Sequence, residues 1–125
     1  MIPMQTIFFL LGALSGALAV GLGAFGAHGL KNRLSAARLE NYETAARYQM
    51  YHALALLAAF FAARQWPSSS LPALAGWLFV AGTLLFSGSL YLLALTDERR
   101  WGMVTPLGGV AFIAGWICLA LSALY

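Results

Sequence analysis

The sequence predicts an all-α membrane protein, in which four transmembrane helices form a bundle and a cytoplasmic amphipathic helix lies between spans 1 and 2. Three observations support this fold class. Of the 125 residues, 62% are hydrophobic and 9% are charged. A soluble domain is about half apolar and about a quarter charged, and a chain this short cannot bury such an excess of apolar surface. The apolar residues also fall into four long runs, and most charged residues lie in the connections between the runs.

The four predicted spans cover residues 6–27, 45–63, 71–95 and 105–125. Each holds about 20 mostly apolar residues, which is the length that crosses the hydrocarbon core. The runs lack the two-residue alternation of membrane strands, so we expect helices. The first run has no Lys or Arg before it and exceeds the roughly 7–15 apolar residues of a secretory signal. It is therefore expected to be a permanent span.

Connection 1, between spans 1 and 2, predicts an amphipathic surface helix over residues 36–47. Ser35 is a suitable N-cap, and Leu39, Tyr42 and Ala46 fall on one helical face. No Gly or Pro lies between Ser35 and the end of the second span. The surface helix is therefore expected to continue directly into that span.

The charge distribution predicts the orientation of the chain. Only Arg64 among the seven Lys and Arg residues lies in connection 2, whereas the others lie in or beside connections 1 and 3. These six are Lys31, Arg33, Arg38, Arg47, Arg99 and Arg100. Because positive charge favours the cytoplasmic side, connections 1 and 3 are expected inside and both termini outside.

The basic residues also predict the class of partner. The net charge of +3 rests on only seven basic residues, which topology explains better than phosphate binding. No nucleic acid is therefore expected as a partner. Membrane lipids are expected, with a second copy of the chain or another membrane protein as further candidates. The candidate contacts for anionic lipid headgroups are Lys31, Arg33, Arg99 and Arg100.

The stretch "GLGAFGAHGL" at residues 21–30 contains a G-x-G-x-x-G pattern, formed by Gly21, Gly23 and Gly26. A dinucleotide-binding loop needs a strand before this pattern and a helix after it. Here a predicted membrane helix precedes the pattern and a cationic connection follows it. No nucleotide or other cofactor is therefore expected.

The glycines instead predict close helix packing. Small residues let helix backbones approach closely in lipid, where no hydrophobic force drives helix association. The predicted packing face of span 1 consists of Gly12, Gly16, Ala19, Gly23 and Ala27. We also expect Gly26 and Gly29 to end the helix with positive φ angles.

Polar side chains at membrane depth are the main indication of a functional site. They gather in the cytoplasmic half of the predicted bundle and come from all four spans. The predicted polar cluster consists of His28, Tyr48, Gln49, Tyr51, His52, Ser87, Ser89, Tyr91 and Thr105. It can serve as a set of interhelical hydrogen bonds or as the lining of a pocket.

The polar cluster does not have the composition of a catalytic centre. It offers two histidines, and catalytic zinc usually has three protein ligands. Haem held by His28 and His52 and proton relay through His, Gln and Tyr side chains remain alternatives. No acidic residue lies in the predicted spans to orient a nucleophile. We expect neither a metal nor an enzymatic activity.

Four motifs resemble the YgdD/YwdK family of small bacterial inner-membrane proteins, which is related to mitochondrial transmembrane proteins of eukaryotes. They are "GAFGAHGL" (23–30), "YQMYHALALL" (48–57), "FSGSLYLLAL" (86–95) and "TPLGG" (105–109) followed by "GW" (115–116). The resemblance implies four spans and a cytoplasmic-membrane location. It implies no activity and no catalytic residue, because the family is one of unknown function.

The preferred functional hypothesis is a non-enzymatic membrane protein that binds a lipid, a small molecule or a partner protein. It rests on the polar cluster beside a basic interface. The alternative is a small oligomeric channel or a proton- or ion-coupled transporter. We rank transport second because the outer half of the predicted bundle holds few polar groups.

Overall fold

The computed structural model describes all 125 residues and contains helices but no strands. Its four long helices are α1 (Met4–His28), α2 (Ala36–Gln65), α3 (Leu71–Thr96) and α4 (Thr105–Leu121). A short 3₁₀ turn at Arg99–Met103 precedes α4. The prediction of an all-α protein is confirmed.

The helices α1 and α2 run antiparallel and are in extensive contact. A Cβ atom on Gly12 would lie 2.8 Å from the backbone oxygen of Ala53, so only glycine permits this approach. Near the other end of α1, a Cβ on Gly26 would lie 2.5 Å from the ring of Tyr42. The glycines thus bring α2 close to α1 at two levels.

A seven-residue spacing relates three of the four buried residues of α1, namely Gly12, Ala19 and Gly26; this is the spacing of helices that wrap around each other. Gly16 also approaches α2, since a Cβ there would lie 3.7 Å from the Ala53 Cβ. The predicted four-residue spacing would include Gly23 and Ala27. A Cβ on Gly23 would meet no atom within 4 Å, and Ala27 is exposed.

The end of α1 also differs from expectation. Gly29 follows the helix with φ −82°, and no glycine has a positive φ. The expected left-handed helix stop is therefore absent. Gly29 instead makes room for Phe25, because a Cβ at this position would lie 2.6 Å from its ring.

The helix α2 is continuous, so residues 36–47 form its first turns and not a separate element. The Ser35 hydroxyl accepts a hydrogen bond from the Arg38 backbone N–H (3.3 Å) and caps the helix as predicted. The Arg38 side chain donates to the carbonyls of Ala94 (2.7 Å) and Leu95 (3.1 Å). These bonds tie the start of α2 to the end of α3.

A π-helical turn at Thr83–Ser87 interrupts α3. Its widened hydrogen bond runs from the Gly88 N–H to the Thr83 carbonyl. α4 packs antiparallel against this region: a Cβ on Gly108 would collide with the backbone of Phe86.

Two apolar clusters stabilise the two ends of the molecule. The larger one, beside the start of α3, consists of Phe8, Ala55, Leu56, Ala75, Phe79 and Phe112. The smaller one, beside the end of α3, consists of Leu30, Tyr42 and Ala94. The second cluster packs connection 1 against the helices.

Three segments are long and apolar enough to cross a membrane: Met4–His28, Leu71–Thr96 and Arg99–Leu121. α2 is not among them, since polar side chains such as Gln49 and His52 lower its mean hydropathy. Both of these side chains are 4% exposed. These two polar side chains of α2 therefore face other helices, whereas its charged residues Glu43, Arg47 and Arg64 are exposed.

Candidate binding site: buried polar groups and a groove between α1 and α3

The structure separates the predicted polar cluster into small groups instead of one. Gln49 bonds with Tyr91, and Ser89 with Thr105, while His52 bonds with the carbonyl of Tyr48. Ser87 bonds with the backbone of α2. Three members lie at the surface, namely His28 at the end of α1 and Tyr48 and Tyr51 on α2.

Gln49 joins three helices through one side chain. Its Nε2 donates to the carbonyl of Ser15 (3.1 Å) and lies 3.4 Å from the Ser15 hydroxyl. Its Oε1 accepts from the hydroxyl of Tyr91 (2.7 Å). A primary amide both donates and accepts, so it can satisfy α1 and α3 together. Ser15 did not belong to the predicted polar cluster. Its position as a polar residue in the middle of span 1 was the one sequence signal that could have included it.

Tyr42 is a second residue that the predicted cluster did not contain. Its hydroxyl donates to the Leu22 carbonyl (2.6 Å), and its ring meets the Tyr91 ring edge-on with centroids 5.2 Å apart. Burial raises the pKa of the Tyr42 hydroxyl. Tyr42 therefore acts as a neutral hydrogen-bond donor that joins the start of α2 to α1.

His52 is held by partners on both ring nitrogens. Nδ1 lies 2.8 Å from the Tyr48 carbonyl, and Nε2 accepts from the Trp116 indole N–H (3.0 Å). A carbonyl only accepts and an indole only donates, so the ring carries its proton on Nδ1 and is neutral. The ring also stacks on Phe112 with centroids 3.5 Å apart. A proton relay through His52 would have to break its bond to Trp116, a residue that the predicted polar cluster did not contain.

Hydroxyl groups connect α3 to its neighbours. Ser87 donates to the Ala45 carbonyl of α2 (2.8 Å). The oxygens of Ser89 and Thr105 are 2.5 Å apart and join α3 to α4. Such bonds inside a membrane each stabilise helix association by about 0.6 to 2 kcal/mol.

A groove with a volume of about 370 Å³ lies between α1 and α3, with Gln49 of α2 among its lining residues. The two helices meet where Phe8 packs against Gly76. Further along, the Gln49 side chain connects them instead. The apolar lining consists mainly of Leu11, Leu14, Leu18, Leu22 and Leu84, and the polar groups come from Ser15, Gln49, Thr83, Ser87 and Tyr91.

A second cavity of about 140 Å³ shares part of this lining. Leu11, Ser15, Thr83 and Leu84 border both spaces. The two cavities are therefore neighbours along one seam of the molecule. No Lys, Arg, Asp or Glu side chain lines either of them.

The four candidate lipid contacts are exposed at the end of the molecule that holds connections 1 and 3. Arg100 lies 2.7 Å from Glu98 and over the ring of Trp101. Lys31, Arg33 and Arg99 extend the basic surface. No group of three His, Cys, Asp or Glu residues is placed to hold a metal ion.

Comparisons with known proteins point to membrane proteins of unknown function. A family model described as "Protein of unknown function (DUF423)" matches residues 22–109. The UPF0382 membrane protein YwdK of Bacillus subtilis is 48% identical over 117 residues, which cover 94% of this chain and 95% of the relative. The UPF0382 membrane protein SSP2132 of Staphylococcus saprophyticus is 51% identical over 115 residues, covering 92% and 94%. No solved structure matches the chain.

Proposed function

The chain belongs to the DUF423 family of membrane proteins, and on this premise we propose a function in lipid binding. The protein is a non-enzymatic, four-span protein of the bacterial cytoplasmic membrane, and it holds a lipid in the groove between α1 and α3. The single observation that carries the proposal is this groove, which combines leucine walls with a few polar groups.

The direction of the helices supports four spans. Near their starts, Phe8 of α1 packs against Gly76 of α3. Near their ends, Leu22 and Tyr91 both lie beside Tyr42. α1 and α3 therefore run in the same direction, and both are apolar enough to cross a membrane. Two parallel spans require the chain between them to return across the membrane, and α2 is the helix that connects them.

The surface of α2 supports the same conclusion. Between Arg47 and Arg64, its exposed side chains are Tyr48, Tyr51, Leu54 and Phe61. Aromatic and aliphatic groups of this kind suit a lipid environment, and the long arginine side chains can extend to the interfaces. Gln49 and His52 are turned inward and bonded, so neither faces the surrounding bilayer.

The size and chemistry of the groove support a lipid ligand. Its volume of about 370 Å³ lies in the range of roughly 300–1,000 Å³ that small-molecule sites occupy. Its walls are aliphatic, and Leu18 and Leu84 are more than half exposed where they border it. A lipid chain can therefore enter from the side. We rank transport below lipid binding, because both nitrogens of His52 are occupied by neighbours.

Blocking the groove tests the proposal. The variant Leu18→Trp places a large ring in the groove, and Leu10→Trp makes the same change on an exposed face of α1 outside it. Native mass spectrometry of purified protein measures the lipid that each variant retains. We expect Leu18→Trp to lose most of the bound lipid and Leu10→Trp to retain it. Equal retention by Leu18→Trp and the unchanged protein contradicts the proposal.

A further inference from the structure

Thr83 has the one buried side-chain oxygen or nitrogen atom without a hydrogen-bond partner. Hydroxyls on helices usually bond to a carbonyl three or four residues earlier. Elsewhere in this chain Thr96 does so with Leu92 (2.6 Å) and Ser122 with Leu119 (2.5 Å). The residue Thr83 lines both cavities between α1 and α3, and its buried hydroxyl is left without a partner. It is the polar group at this site whose hydrogen-bonding capacity the protein does not satisfy.

The π-helical turn places this hydroxyl. Thr83 is the first residue of the turn, and its carbonyl accepts the N–H of Gly88. Leu84, Ser87 and Gly88 line the groove beside it. π-helical turns inside α-helices are rare and occur frequently at functional sites. The irregular backbone, the unpartnered hydroxyl and the cavity thus coincide at one place.

Ser15 supplies a second hydroxyl across the seam. The Gln49 amide N–H lies within hydrogen-bond distance of the Ser15 hydroxyl oxygen, which accepts in this interaction. The hydroxyl hydrogen of Ser15 is therefore left free to donate. Like Thr83, Ser15 borders both cavities. A ligand oxygen between the two helices can therefore meet hydroxyls from both sides.

The depth of these hydroxyls restricts the ligand. Ser15 lies near the middle of α1, and Thr83 lies near the middle of α3. In a spanning helix, the middle lies about 15 Å from either edge of the hydrocarbon core. The headgroup of a phospholipid stays at that edge, so a phospholipid would place only hydrocarbon here. A charged group would be strongly disfavoured, because no charged side chain lines the groove.

We propose that the groove selects an uncharged lipid, whose hydroxyl or carbonyl oxygen bonds with Thr83 and Ser15 at the centre of the membrane. This inference rests on the proposed function and names its ligand class. The ligand has one or a few neutral oxygens on a hydrocarbon body. Dioleoylglycerol is a suitable probe, and dioleoylphosphatidylglycerol is its charged counterpart with the same acyl chains.

The test compares these two lipids on the full chain in detergent, with binding measured by titration in native mass spectrometry. We expect the unchanged protein to prefer dioleoylglycerol. Thr83→Val keeps the shape of the side chain and removes the hydroxyl, and we expect it to lower the affinity for dioleoylglycerol about tenfold. The affinity for dioleoylphosphatidylglycerol should stay the same. Thr44→Val, a threonine outside the groove, serves as the matched control.

A second variant and a stability measurement keep the test decisive. Ser15→Ala leaves the Ser15 carbonyl in place for Gln49 and should also weaken dioleoylglycerol binding. Without lipid, Thr83→Val should unfold at the same or a higher temperature, because it removes an unpartnered buried group. Unchanged dioleoylglycerol affinity in both variants, or a clear loss of lipid-free stability in Thr83→Val, overturns the inference. If phospholipid still binds and Leu18→Trp abolishes that binding, the proposed function survives this failure. Retention of neither lipid by the unchanged protein overturns both.

Discussion

Buried polar residues in this chain act mainly through hydrogen bonds between helices. Gln49 connects Ser15 and Tyr91, and His52 connects Tyr48 and Trp116. An unbonded polar group in hydrocarbon is costly, so each partner depends on the other. At the scale of single residues, removing one partner should therefore cost more than removing an exposed group of the same type.

The bond between Tyr91 and Gln49 provides a test. Tyr91→Phe removes the donor of a 2.7 Å bond and leaves the Gln49 oxygen without that partner. We expect the free energy of unfolding in detergent to fall by about 0.6 to 2 kcal/mol. Tyr51→Phe, which removes an exposed hydroxyl, should change it little. Equal effects of the two changes would show that the Tyr91 bond contributes nothing measurable.

Glycine positions offer a second test at this scale. Gly12→Ala would place a Cβ 2.8 Å from the Ala53 oxygen, whereas Gly23→Ala would meet no atom within 4 Å. We expect Gly12→Ala to destabilise the protein by about 1 to 3 kcal/mol through overpacking. Gly23→Ala should be neutral or stabilising by up to about 1 kcal/mol, through its better helix propensity. Thermal unfolding of the purified variants measures the difference, and a reversed order would contradict the seven-residue contact seam.

At the scale of elements, α2 is the helix that connects connection 1, α1 and α3 to one another. Its first turns lie in connection 1, and the remainder contacts both α1 and α3. Arg38 connects these parts because its guanidinium donates to two carbonyls at the end of α3. A cation at a helix C-terminus also interacts favourably with the helix dipole. The start of α2 is thus fixed to α3 by charge as well as by packing.

The role of Arg38 predicts local and not only global destabilisation. Arg38→Gln should lower stability by about 1 kcal/mol, because one of the two lost bonds is exposed to solvent. Hydrogen exchange should increase in the peptide that covers residues 92–97. Arg47→Gln, which removes an exposed arginine with only a local bond to Thr44, should leave this peptide unchanged. Faster exchange in both variants would indicate a general charge effect instead.

At the scale of the whole molecule, orientation and span number are testable together. In a Cys118→Ser background, the variants Asn32→Cys, Ser68→Cys and Asp97→Cys each place one exposed cysteine in a connection. If α2 crosses the membrane, an impermeant thiol reagent should label intact spheroplasts only at position 68. Positions 32 and 97 should become reactive after lysis. Labelling of 32 and 68 from the same side would refute the four-span proposal.

The basic end of the molecule predicts lipid selectivity. The double variant Lys31→Gln/Arg33→Gln should retain less phosphatidylglycerol relative to phosphatidylcholine after incubation with an equal mixture, at about 1 kcal/mol per charge. Arg64→Gln removes the same type of charge at the opposite end and is the control. The preference of the unchanged protein should weaken at high salt. If the double variant keeps the full preference, the proposed anionic-lipid contacts are elsewhere.

Hydropathy and capping made much of the fold predictable. The start of α2 at Ala36 follows from the Ser35 cap, and its continuity follows from the absence of Gly and Pro. The sequence also contained enough of the family motifs to identify the family, which the relatives confirm. These features are local, because a residue's own neighbours along the chain determine them.

The arrangement of the site depended on the rotation of each helix about its axis. The sequence pattern places His28, His52 and Gln49 at one depth, but depth does not specify the direction of a side chain. In the structure His28 faces outward, and His52 and Gln49 belong to separate bonded groups. The heptad contact of α1, the π-helical turn and the groove also arise from how neighbouring helices pack. The sequence by itself determined an all-helical membrane protein and its family, since chain-local hydrophobicity and motifs carry that information. Only the tertiary structure decided which polar groups satisfy one another and that Thr83 faces a cavity, because those outcomes depend on contacts between residues distant in the chain.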